Sequence, residues 1–187
     1  MASKKLNEAD LRDWLAKVWT ASALGRVEAA RGGDEGRPDA EIIVQHSLGS
    51  YIVPLPVKLE LKVWWRGPRT ITATVRPAQY RYHKICTDQG YVTAILAAIH
   101  YRTNPDEAMV WLVPGSEVQL AKLVHLRQPP TSWQMIGWMS GFDGDARQRL
   151  TEALHTLIAE ALATYERKAL ATSTHQRRQG DSVPPLG

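Results

Sequence analysis

From Val57 to Val63 apolar and polar residues alternate, with Val57, Leu59, Leu61 and Val63 on one side and Lys58, Glu60 and Lys62 on the other. A period of two predicts a strand whose faces differ in environment. Ahead of it, residues 7 to 24 place Leu11, Trp14, Leu15, Val18 and Ser22 at helical spacing, with Asn7 as N-cap and Gly25 as terminator. A short β-compatible stretch, RVEAAR, follows, then the turn-rich RGGDEGRP, a second strand, AEIIVQH, and a turn at LGSY.

After the alternating strand, TITATV is β-branched, and Pro77 is placed to open the helix AQYRYHKIC. GYVTAILAAIHY and AMVWLVP are apolar almost throughout, as strands buried on both faces are, although the alanines of the first leave a helix open. Residues 115 to 142 give no firm pattern. Trp133, Met135, Ile136, Trp138 and Met139 suggest a covering element there. From Asp143 a stripe of Leu150, Leu154, Leu157, Ile158, Ala161, Leu162 and Tyr165 predicts a long C-terminal helix to about residue 171. Residues 172–187 lack apolar periodicity and are expected to form a flexible tail. The order predicts an α/β (α+β) chain with a central mixed sheet flanked by helices, one domain over 1–171 with its core at about 7–114.

The 187 residues suit one core with tails, and 44% apolar with 22% charged residues is ordinary for a folded protein. No apolar run approaches the roughly 20 residues of a membrane span, and MASKKLNEAD lacks a signal-peptide core, so a cytoplasmic protein without a membrane partner is expected. The single cysteine, Cys86, offers neither an internal disulfide nor a cysteine-rich zinc site. A net charge of +4 favours an anionic partner only weakly, since Lys4, Lys5, Arg177 and Arg178 lie near the ends.

The strand face bearing Glu60 and Lys62 carries the candidate chemistry. A hairpin about Gly49 and Ser50 sets Asp39 opposite Glu60, although Pro54 and Pro56 are expected to interrupt the ladder between them. Two adjacent carboxylates can hold a hard divalent cation, which stabilises charge on a phosphoryl group and acidifies an attacking water; a lysine beside them can orient that water. Glu60 and Lys62 are equally the residues of a solvated strand face, and 19 acidic residues make an acidic-x-Lys expected about once by composition. No Walker-type phosphate loop, Gly-x-Ser-x-Gly elbow or histidine metal spacing is present.

Pro38-Asp39, twenty further residues and Glu60-Leu61-Lys62 resemble the motif of the PD-(D/E)xK nuclease superfamily, and the element order over residues 7 to 114 is similar to its restriction-endonuclease-like core. More narrowly, the chain resembles nuclease-like domains encoded near bacterial defence and mobile-element genes. The resemblance implies a Mg²⁺- or Mn²⁺-dependent nuclease hydrolysing DNA, RNA being the other candidate substrate, in phage defence, restriction or a mobile element. It implies Asp39 and Glu60 as metal ligands, the backbone carbonyl of Leu61 as another, and Lys62 as the residue that positions water. Of the acidic residues on the first helix, Asp13 is the first candidate and Glu8 the alternative. A homodimer or a subunit of a larger complex is expected. Arg76, Tyr80, Arg81 and Lys84, with Tyr82 and His83, are candidates for phosphate contact or base stacking. A noncatalytic nucleic-acid-binding or assembly module on the same fold is the alternative function. A third is an adaptor using the C-terminal helix and the Trp133–Met139 region.

Overall fold

A computed structural model describes residues 6–20, 27–29, 38–101, 104–121, 123–140 and 144–180. Gly25, the glycine-rich loop before Pro38 and residues 181–187 lie outside the described residues. In chain order the elements are α1 (Glu8–Thr20), β1 (Val27–Ala29), β2 (Ala40–Leu48), β3 (Tyr51–Arg66), β4 (Ile71–Thr74), α2 (Pro77–Asp88), β5 (Val92–Tyr101) and β6 (Asn104–Pro114). A 3-10 helix (Gly115–Ala121), β7 (Leu123–Leu126), β8 (Gln134–Trp138) and α3 (Gly144–Gly180) complete the chain.

The strands form one mixed sheet in the order β1-β2-β3-β5-β6-β8, with β4 pairing β3 and β7. Its only parallel pair among the described residues is β3 with β5, the two strands joined through β4 and α2. β5 is flanked by β3 and β6 and buried from Val92 to His100, so its alanines belong to a central strand rather than a helix. On one face, α1 and α3 cover a core that includes Leu15, Trp19, Ile42, Leu59, Leu61, Leu96 and Ile158. On the other, Trp64, Ile71, Ile95, Ile99, Val113, Val118 and Trp133 form a second core. Trp133 is thus 3% exposed as expected of a covering residue, but the segment around it builds strands: β8 extends the sheet edge and β7 pairs β4.

Local capping supports α1 as expected. The Asn7 side chain accepts the N–H groups of Ala9 and Asp10 at 2.8 and 3.1 Å, and Asp10 returns a bond to the Asn7 N–H at 3.1 Å. α3 runs to Gly180, past the boundary expected near residue 171; its backbone stays helical through a stretch that holds no proline and no glycine before Gly180.

The β2–β3 hairpin turns at Gly49, whose φ of 62° suits glycine, and Ser50. Its register runs unbroken from Leu48 opposite Tyr51 to Ala40 opposite Leu59, which sets Asp39 against Glu60 as the turn predicts. The expected interruption at Pro54 and Pro56 does not occur. The N–H of Leu61 faces the β2 side, and N–H directions alternate along a strand, so those of even-numbered residues face the opposite edge. β5 reaches that edge only at Val57. The two prolines therefore give up hydrogen bonds that no neighbouring strand would have accepted.

Candidate active site

β3 serves two partners along one edge. β2 pairs it as far as Leu59, and β4 takes over at Trp65. Between these ladders, Glu60 to Trp64 leaves a notch in the edge. Side chains from three elements fill it.

Asp39, immediately before β2, accepts the N–H of Leu61 at 2.9 Å and so supplies the rung that the ladder lacks. The Leu61 carbonyl, which shares that edge, accepts from the Lys62 ammonium at 2.8 Å. The same ammonium donates to Glu60 at 2.9 Å and to Glu8 at 3.0 Å, and lies 3.9 Å from Asp39. Glu8 arrives from the first turn of α1. All of the ammonium's N–H donors are thus engaged by protein oxygens.

Burial is steep across the cluster. The side chains of Glu60 and Lys62 are 3% and 10% exposed, against 28% for Asp39 and 49% for Glu8. Burial pushes the Glu60 carboxyl up to about 7, against the pull of Lys62. For Lys62 burial works against the charge, yet Glu60 and Glu8 outweigh it and hold the ammonium above its ordinary range. The pair therefore keeps a permanent cation beside a carboxyl poised to change charge near neutrality.

α2 closes the site from the β5 side of the notch. Gln79 donates through Nε2 to Glu60 and accepts the Arg76 N–H through Oε1 at 3.1 Å, which locks its amide orientation. One turn later His83 is 1% exposed, with neither ring nitrogen hydrogen-bonded. Burial first, and then the Lys62 charge, push it down to about 4, so His83 is neutral.

The structure brings together Asp39, Glu60, Lys62, the Leu61 carbonyl and Glu8 from the residues expected on sequence grounds. It does not bring Asp13, the first candidate on α1, which is exposed on the helix. Glu8 and Asp13 are five positions apart, about 140° of rotation around the helix, so the docking of α1 presents only one of them to β3. Of the α2 candidates, Arg76 and Arg81 are exposed, Lys84 is held by Asp88 at 2.7 Å and Tyr80 packs against the second core. Gln79 and the burial of His83 are additions; their i, i+4 spacing, continued at Cys86, marks the inward face of α2.

Among the described residues no group of three or more His, Cys, Asp or Glu side chains is set to hold a metal by itself. The centre of the cluster is instead a cation, the Lys62 ammonium, ringed by the oxygens of Glu8, Glu60 and Leu61 with Asp39 beyond them. That donor set is hard oxygen throughout, the chemistry that suits a hard divalent cation. Among the described residues no helix is long and apolar enough to cross a membrane. No protein-family model and no curated protein matches the chain.

Proposed function

We propose that the chain is a metal-dependent nuclease that hydrolyses phosphodiester bonds of DNA, built on a restriction-endonuclease-like core from α1 to β6. The observation that carries this reading is the gathering of Glu60, Glu8 and the Leu61 carbonyl around the Lys62 ammonium, with Asp39 3.9 Å from it, where the β2 edge of β3 is unpaired.

Asp39, Glu60 and the Leu61 carbonyl would hold Mg²⁺ or Mn²⁺. When bound, the cation would supply Lewis-acid stabilisation of charge developing on the phosphate. The protein's own residues do the rest. Asp39 is oriented by the Leu61 N–H, and Gln79 fixes the Glu60 carboxylate. Lys62 must release one of its carboxylates before it can orient a water toward phosphorus, because its donors are otherwise filled. Glu8 then keeps the ammonium near the notch.

A second reading has a specific observation behind it. Lys62 already offsets part of the cluster's negative charge without a metal, as an ion pair in a noncatalytic binding module would. Purified protein incubated with supercoiled plasmid and Mg²⁺ or Mn²⁺ separates the two. Nicking that requires metal, stops with EDTA and is lost in Asp39→Asn and Lys62→Met is the expected result. Absence of both cleavage and a metal-induced rise in melting temperature would favour the binding module.

A further inference from the structure

Lys58 stands two residues from Glu60 on the same face of β3, about 7 Å along the strand. Its ammonium lies 4.2 Å from the centre of the Tyr91 ring and 5.9 Å from that of Tyr82. Tyr91, which follows the turn closing α2, is 44% exposed and walls a cavity of about 170 Å³. Tyr165 of α3, 62% exposed, lines the same cavity. Gly90, with φ of 85°, takes the chain from α2 into Tyr91 in a conformation that suits glycine. Thr93, the register partner of Lys58 on β5, lines the cavity together with Val92 and Leu157 of the core under α3, so the cavity lies at the start of β5, where the two sheet faces meet and Lys58 reaches Tyr91.

We propose that this cavity receives one nucleobase of a single-stranded nucleic acid and thereby presents the adjoining phosphate to the Glu60–Lys62 cluster. The inference rests on the nuclease reading above. Its volume holds on the order of ten water molecules, the scale of a nucleobase. Tyr91 and Tyr165 offer π faces to a base, and Leu157 adds an apolar wall. Ser116 and Glu160 give polar groups to its edge; a carboxylate accepts from an exocyclic amine and repels phosphate. Lys58, between the cavity and the cluster, is the countercharge for the backbone. A base within a duplex stays stacked and paired and enters only after extrusion, which costs a few kcal/mol by general estimates. The site therefore selects single strands, flaps or frayed ends.

The test is fluorescence anisotropy of a short labelled single-stranded DNA and of its duplex, in EDTA, with the full chain and with Tyr91→Ala, Tyr165→Ala and Ala161→Trp. Thermal melting controls for folding, and Tyr165→Ala changes an exposed residue only. Wild type is expected to bind the single strand more tightly than the duplex. Each substitution should weaken single-strand binding about tenfold and leave duplex binding unchanged. Equal binding of both forms, or single-strand affinity unaltered in folded Tyr165→Ala and Ala161→Trp, overturns the proposal. A parallel Mg²⁺ cleavage assay keeps the two readings apart. Selective binding without cleavage supports the cavity and counts against the nuclease, whereas cleavage with unaltered binding in the variants does the reverse.

Discussion

Asp39 accepts the N–H of Leu61 at 2.9 Å, one step beyond the last paired rung of the β2–β3 hairpin. A residue proposed to hold a metal thus also completes a sheet. Asp39→Ala leaves the N–H of a buried residue without its acceptor and should cost about 1–3 kcal/mol. Asp39→Asn keeps an acceptor oxygen and should cost less. Urea unfolding of both variants measures the difference, and equal midpoints would show that the bond contributes nothing to stability.

Glu8 and Asp13 make a second comparison. Glu8 touches Lys62 at 3.0 Å, and Asp13 is exposed away from it. In the nuclease reading, Glu8→Gln should slow cleavage by about tenfold or more, as loss of a group that orients an active-site residue does. Asp13→Asn should cleave as wild type does. The opposite ranking in a plasmid-nicking time course would remove Glu8 from the site.

The buried Glu60 and His83 pull stability in opposite directions with pH. Glu60 titrates at about 7 when folded and at 4.5 as a free side chain, so the folded state binds more protons between those values. Its contribution is full below 4.5 and is lost as pH rises toward 7. His83 titrates at about 4 when folded and 6.5 when free, so its contribution is full above 6.5 and is lost as pH falls toward 4. The two slopes offset one another between about 4.5 and 6.5, leaving a gentle decline near neutrality. His83→Phe should expose the falling limb in metal-free protein, and Glu60→Gln the rising one. Melting temperatures across pH 4 to 7.5 that are parallel in all three proteins would contradict this assignment.

Gly137 on β8 packs where an added Cβ would lie 2.9 Å from the Cβ of Ala146 on α3. Gly137→Ala should destabilise the chain by about 1–3 kcal/mol through overpacking. Adding Ala146→Gly removes the colliding methyl, so the double variant should be more stable than the sum of the single effects allows. Simple additivity in denaturant unfolding would place the strain elsewhere.

The strongest local signals in the sequence were those whose geometry is set within one hairpin. The turn at Gly49 and Ser50, with the alternation around Glu60, suffices to align Asp39, Glu60 and Lys62. The prolines misled because the penalty for a missing N–H depends on which edge is occupied, and that follows only from where β5 begins. Glu8 could not be preferred to Asp13 because both sit on α1 and the choice depends on how the helix rotates onto the sheet. Gln79 joins through the packing of α2, again a tertiary matter. β7 and β8 span four and five residues, too short for periodicity to declare them.

The long β3 has a consequence for how the molecule assembles. A hairpin closes within microseconds by general timescales, earlier than helices dock from distant parts of the chain. The β2–β3 hairpin alone brings two carboxylates to one edge, before Gln79 and Glu8 can arrive from their helices. Lys62, carried on that same hairpin, is the one positive charge of the cluster available to offset theirs from the outset. Its first service to the protein is therefore as an internal counterion that lets the acidic pair meet at neutral pH.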